Sequence, residues 1–193
     1  MLQNILCSHP DVGYITNAMH QFRSCLCAVE RLRKRLNIDF KGERYLQDGI
    51  MIDSGSPNEG MAFFSEWSHL DLYSLKYTEL SSGDLAPEDI ETVHATIRRI
   101  LWSFGGASKR FVNKNPGLTT QVRMLIEAFP DARIIHIVRD PRMCANSMIK
   151  LYRRNKAQEL RLKALAPQSY THDEVLIPYP RLPRLAEYLG RFG

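Results

Sequence analysis

The sequence predicts an α/β fold of three layers, a parallel sheet flanked by helices. Two observations carry that expectation. Arg133–Val138 (RIIHIV) is a continuous apolar, β-branched run bounded by turn residues, the pattern of a strand buried on both faces of a parallel sheet. Around it, residues 110–152 alternate strand, helix, strand, helix, a βαβα unit whose connection is a right-handed crossover.

Each element has its own local reason. In Met1–Ser8, Leu2, Ile5 and Leu6 share one helical face, and His9-Pro10 stops the helix. Asn17–Leu36 reads as one helix, with Met19, Phe22, Leu26, Val29 and Leu32 at helical spacing and Arg/Lys opposite. Gly42, Gly49 and Gly55-Ser56-Pro57 break the next section into loops. A short helix is expected over Glu59–Trp67, then irregular chain over Leu70–Leu85. Pro87 opens a helix to about Phe104, with Glu88, Asp89 and Glu91 at the positive end of its dipole.

Arg110–Asn113 reads as a short strand ended by Lys114-Asn115-Pro116-Gly117. Leu118, Val122, Leu125, Ile126 and Phe129 mark one face of the following helix, which Pro130-Asp131 stops. Arg139-Asp140-Pro141 closes the apolar strand, and a helix runs from Pro141 past Arg153. Pro178-Tyr179-Pro180 and Pro183 punctuate the last section before a short helix over Leu185–Phe192.

The 193 residues suit one domain with a sizeable core. No apolar run approaches the ~18 residues that span a bilayer, and the N-terminus lacks the marks of a signal peptide. A cytoplasmic protein without a membrane partner is expected. Cys7, Cys25, Cys27 and Cys144 match neither a redox pair nor a zinc ribbon, so they read as reduced, buried or half-buried thiols, and no metal site is expected.

The net charge is +5, unevenly placed. Between Lys41 and Glu91 acids predominate, whereas from Arg98 to Lys163 bases far outnumber Glu127, Asp131, Asp140 and Glu159. A positive field over one half of the molecule suits an anionic ligand. Aromatics are not interleaved with the bases, which argues against nucleic acid. Much of the run Lys150, Arg153, Arg154, Lys156, Arg161 and Lys163 reads as a solvated basic face.

In open α/β sheets, ligands sit at the carboxyl ends of strands. Lys114 and Arg139 both stand at such ends. Asp140 can N-cap the following helix with Pro141 at its first position. Ser147, two turns on, then shares a helix face with that cap, and a guanidinium and a hydroxyl so placed can grip one phosphate. His136, between isoleucines, reads as a core histidine.

The order Phe111-Val112-Asn113-Lys114-Asn115-Pro116, Phe129-Pro130-Asp131-Ala132-Arg133, the apolar strand, Arg139-Asp140-Pro141-Arg142 and then Ser147 resembles the 3′-phosphate-binding motif of sulfotransferases that use 3′-phosphoadenosine 5′-phosphosulfate (PAPS). It is most similar to the bacterial-like group whose lysine segment reads KNP. Weaker echoes extend to Asp53–Gly60 (DSGSPNEG) and Ile177–Arg181 (IPYPR).

The resemblance implies a P-loop-NTPase-like sulfotransferase fold and sulfuryl transfer from PAPS to a hydroxyl or amine acceptor, a small molecule, carbohydrate or peptide. It implies that Arg139 and Ser147 bind the 3′-phosphate and that Lys114 lies near the phosphosulfate, neutralising the departing phosphate. Glu59 falls in an acceptor-side segment and is the candidate general base, its plainer reading being a helix N-terminal glutamate. The family's Gly/Ser/Thr-rich phosphosulfate loop and its further C-terminal strand have no counterpart in residues 1–193, so the domain is expected to be incomplete. Two alternatives stand beside transfer: an inactive fragment that only binds PAPS or its desulfated product PAP, and a P-loop kinase-like protein, against which the lack of GxxxxGK[ST] counts.

Overall fold

A computed structural model of the chain describes residues 2–43, 51–70, 72, 80–106 and 109–165. Contacts divide it into two compact units, Met1–Phe40 with Asp53–Arg133, and Lys41–Ile52 with Ile134–Gly193.

The first unit starts with α1 (Leu2–Cys7), β1 (Val12–Gly13), α2 (Asn17–Gln21) and α3 (Leu26–Leu36). The helix expected over Asn17–Leu36 is thus broken. Phe22 leaves helical geometry at φ −120°, ψ 57°, and a 3-10 turn over Arg23–Cys25 redirects the chain. The physical reason lies in Thr16 and Glu30. Along one continuous helix, fourteen residues would separate them by about 21 Å. Instead the Thr16 hydroxyl caps α2 through the Met19 amide at 3.2 Å and donates to Glu30 Oε2 at 3.1 Å.

Downstream, the strands β2 (Lys41–Glu43) and β3 (Met51–Asp53) pair as a two-stranded sheet that, apart from Asp53, belongs to the second unit. The first unit resumes with α4 (Met61–Ser68) and α5 (Pro87–Ser103), the latter opened by Pro87, Glu88 and Asp89 as the sequence indicates. β4 (Arg110–Phe111) pairs in parallel with β1, Val12 opposite Arg110 and Gly13 opposite Phe111. A Cβ at Gly13 would come within 2.8 Å of Leu101 Cδ2, so a side chain there would have to displace the end of Leu101 for β1 to lie this close to α5. A 3-10 turn over Pro116–Leu118 and α6 (Val122–Ala128) follow.

The core of this unit gathers Ile15, Met19, Phe64, Trp67, Val93, Ile100, Leu118 and Met124. Each large apolar side chain buried here contributes roughly 1.5–3 kcal/mol. Trp67 meets Phe64 and Phe129 edge-on, at ring separations of 5.9 and 5.6 Å, and His94 Nε2 donates to the Ala128 carbonyl at 2.8 Å. α4, α5 and α6 are thereby locked together.

The second unit ends its described part with α7 (Pro141–Leu165). Here one expectation fails. Residues 133–138 form no strand, and Ile134, Ile135, Ile137 and Val138 are 47–82% exposed. His136 is correspondingly exposed, not a core residue. A buried strand exists only between hydrogen-bonded neighbours, and among the described residues none pairs with this segment. The parallel partner of β4 is β1, from the N-terminal section, instead of the segment that follows α6. The α/β class holds, in a helix-rich form with a small parallel sheet. The segments Ile177–Arg181 and Leu185–Phe192 lie outside the described residues.

Candidate functional site

β1 and β4 run in parallel, so the segments leaving their carboxyl ends emerge side by side. The Val112 amide extends the pairing by donating to Gly13 O at 2.9 Å, and Lys114 follows two residues later. Asn115 ends the extended run, its side chain accepting from the Gly117 amide at 2.9 Å, with Pro116 opening the 3-10 turn. Lys114 is therefore held between a strand end and a capped turn.

Beyond β1, residues 15–18 are bound along their length by residues 54–58. Asn58 N donates to Ile15 O at 2.8 Å, Asn17 N to Ser56 O at 3.1 Å and Ala18 N to Ser54 O at 2.8 Å, and Thr16 bridges Pro57 in antiparallel sense. Asn58 is buried. Its amide donates to Asn17 Oδ1 at 2.9 Å, and its Oδ1 accepts from the Gly60 amide at 2.8 Å. Gly60 takes φ +67°, and a Cβ there would fall 2.7 Å from Ile15 Cδ1. Glu59 is thus clamped on both sides and its carboxylate turned outward.

The two candidate residues meet. Lys114 Nζ and Glu59 Oε1 form an ion pair. With the Lys114 side chain 52% exposed and that of Glu59 31%, the pair is solvated and worth only about 0–1 kcal/mol. An incoming anion can therefore displace it at little cost.

Arg139 and Ser147 lie in the second unit, both exposed. Asp140 caps α7 as expected, accepting from the Arg142 amide at 2.8 Å. The Arg142 guanidinium grips both Asp140 oxygens, at 3.2 and 2.9 Å, and holds its carboxyl below the usual range. That pairing spares Arg139, which among the described residues has no acidic partner. The Ser147 hydroxyl, seven residues past the cap, also makes no hydrogen bond among them. An exposed guanidinium and an exposed hydroxyl suit a phosphate.

Behind the Lys114–Glu59 pair sits a polar knot for which the sequence carries no signal. Glu30 is fully buried and accepts from Thr16, from Arg33 Nε at 2.9 Å and from Arg33 Nη2 at 2.8 Å. Arg33 also donates to Asp39 Oδ1 at 2.6 Å, and its hydrogen bond to Glu30 pushes its pKa up. Glu30 looks like one acid on a basic helix; only the fold turns it inward. Asn58, the other missed residue, lies inside the singled-out DSGSPNEG segment, but nothing in its spacing marks it for burial.

Among the described residues no group of His, Cys, Asp and Glu could hold a metal, and no helix is long and apolar enough to cross a membrane. The cysteines are free. Cys7 is buried, which pushes its thiol up to about 11, whereas Cys25 is exposed, against expectation.

Residues 1–177 match a family model described as Sulfotransferase family. Two curated relatives, the omega-hydroxy-beta-dihydromenaquinone-9 sulfotransferases of Mycobacterium bovis and Mycobacterium tuberculosis, are each 34% identical over 75 residues. That match spans 38% of this chain and 19% of each relative. No solved structure matches the chain.

Proposed function

The chain belongs to the sulfotransferase family, and on that premise we propose that it transfers a sulfuryl group from PAPS to an acceptor hydroxyl. The observation that carries this reading is the Lys114–Glu59 pair beyond the ends of two neighbouring parallel strands, where an α/β sheet takes its ligand. The relatives' name carries a hydroxy group, which favours a hydroxyl over an amine acceptor.

In this reading the acceptor oxygen attacks sulfur while the sulfur–oxygen bond to the phosphate breaks. Glu59 takes the acceptor's proton, and Lys114 neutralises the charge left on the phosphate oxygen. Catalysis is electrostatic and positional, as in phosphoryl transfer. Arg139 and Ser147 hold the 3′-phosphate, supported by their exposure and by the lack of side-chain partners among the described residues. The small cost of separating Glu59 from Lys114 lets the nucleotide claim the lysine and free the base.

Calorimetric titration of PAP tests the nucleotide half. Wild type is expected to bind, and Arg139→Ala to bind at least about tenfold more weakly, or 1.4 kcal/mol. Absence of binding by the wild type would overturn the reading. Equal binding by both would remove Arg139 from the site.

A further inference from the structure

The segment that carries Glu59 is tied off by a side chain to which the transfer reaction gives no part. Asn17, the first residue of α2, donates through Nδ2 to the Asp53 carbonyl at 2.8 Å and accepts at Oδ1 from Asn58 Nδ2 at 2.9 Å. One amide thus spans both ends of residues 53–58. Between those ends the loop closes on itself. Asp53 Oδ1 accepts from the Gly55 amide at 3.0 Å and from the Ser56 hydroxyl at 2.9 Å, and the Asp53 amide donates to Ser56 Oγ at 3.0 Å.

The direction of this relay is fixed at each end. The Asp53 carbonyl can only accept, and the Gly60 amide, 2.8 Å from Asn58 Oδ1, can only donate. Two primary amides in series, each donating on one side and accepting on the other, join such a pair of groups. A carboxylate at position 17 would set acceptor against acceptor at Asp53. The last link closes across Glu59, because Asn58 and Gly60 are its two neighbours. Asn17 therefore acts at one remove from the Glu59 carboxylate, through the backbone on both sides of it.

That carboxylate sits on Lys114 Nζ. A tethered carboxylate is an internal anion, and an external one that needs the same lysine binds more weakly by the fraction of time the pair is closed. We propose that Asn17 is a positioning residue of this site: acting through Asn58, it holds Glu59 on Lys114, so that the carboxylate competes with the nucleotide for the lysine. The inference rests on the transfer reading, in which Lys114 receives the nucleotide.

The test is calorimetric titration of PAP into the full chain and its variants. Asn17→Ala is expected to bind PAP about two- to fivefold more tightly than wild type, the factor an exposed ion pair commands, although its urea midpoint falls. Loss of a purely structural group would lower midpoint and affinity together. Glu59→Gln should show the same gain, and adding Asn17→Ala to it should bring no further change, since both act on one pair. Asn17→Ala keeps the backbone hydrogen bonds to Ser54 and Ser56, and far-UV circular dichroism checks its fold. Asn17→Ser takes its place if that check fails. No gain in the folded Asn17 variant, or an equal gain in the Glu59→Gln background, would overturn the inference alone. A wild type that does not bind PAP would overturn the transfer reading, and the inference with it.

Discussion

Glu59 and Lys114 form an ion pair across a sequence separation of 55 residues. Each is fixed by its own backbone clamp, Glu59 by Asn58 and Gly60, Lys114 by β4 and the Asn115 cap. The two side chains can part without disturbing what holds them.

Lys114→Ala should therefore leave the fold intact and remove the transition-state charge. Sulfuryl transfer is expected to fall by about 10²–10³ in kcat, the scale for losing one preorganised electrostatic group. Stability in urea should change by less than about 1 kcal/mol, since the exposed pair is worth no more. A large stability loss with unchanged kcat would make the lysine structural.

Glu59→Gln separates the base from the counter-ion. Transfer should drop by about 10²–10⁴, whereas PAP binding measured by calorimetry should be kept or improved, because Lys114 is no longer neutralised. Weakened PAP binding together with full activity would contradict both roles.

Asn58→Ala tests the clamp. It leaves the Gly60 amide without its acceptor and Asn17 without a donor, inside the fold. About 1–3 kcal/mol of stability should be lost in urea unfolding, and activity should fall with Glu59 no longer held.

Glu30→Ala should be the most destabilising of these changes, by about 3–5 kcal/mol, because Arg33 would keep its charge in a partly buried site with Asp39 as its one remaining acidic partner among the described residues. Measurement at neutral pH suffices, since Arg33 stays protonated there.

His20 supplies a pH signature. Burial, helped by Arg23, holds its pKa below the ordinary 6.5. The unfolded chain therefore takes up a proton at a pH where the folded one does not. The contribution of His20 is complete above pH 6.5 and erodes as pH falls from there toward the lower folded value. Urea midpoints measured across that range should decline in wild type and decline less in His20→Asn.

Much of the local architecture is legible from residue types. Pro87 with Glu88 and Asp89 marks the start of α5, Asp140-Pro141 marks that of α7, and Asn115-Pro116 marks the turn after Lys114. Caps, proline dihedrals and dipole charges act within one turn of the chain, so a linear sequence carries them in full. Of the candidate residues, Lys114 stands out by its strand end and Ser147 by its spacing from Asp140. Arg139, by contrast, is singled out by a strand end that residues 133–138 do not form, and Glu59 by the resemblance alone. The α/β class is legible as well.

What depends on distant partners is decided only by tertiary structure. The apolar run 134–138 has the composition of a buried strand, but pairing, not composition, makes a strand, and β4 pairs with β1. The periodicity of residues 17–36 is helical throughout, yet the Thr16–Glu30 hydrogen bond requires the break at Phe22. The meeting of Lys114 with Glu59, the burial of Asn58 and the bridge that Asn17 makes between Asp53 and Asn58 arise in the same way. By itself the sequence determined which groups this protein carries and how each local turn holds them. The tertiary structure decided which of those groups share a place, because proximity across tens of residues is set by packing and strand pairing, which local propensity does not encode.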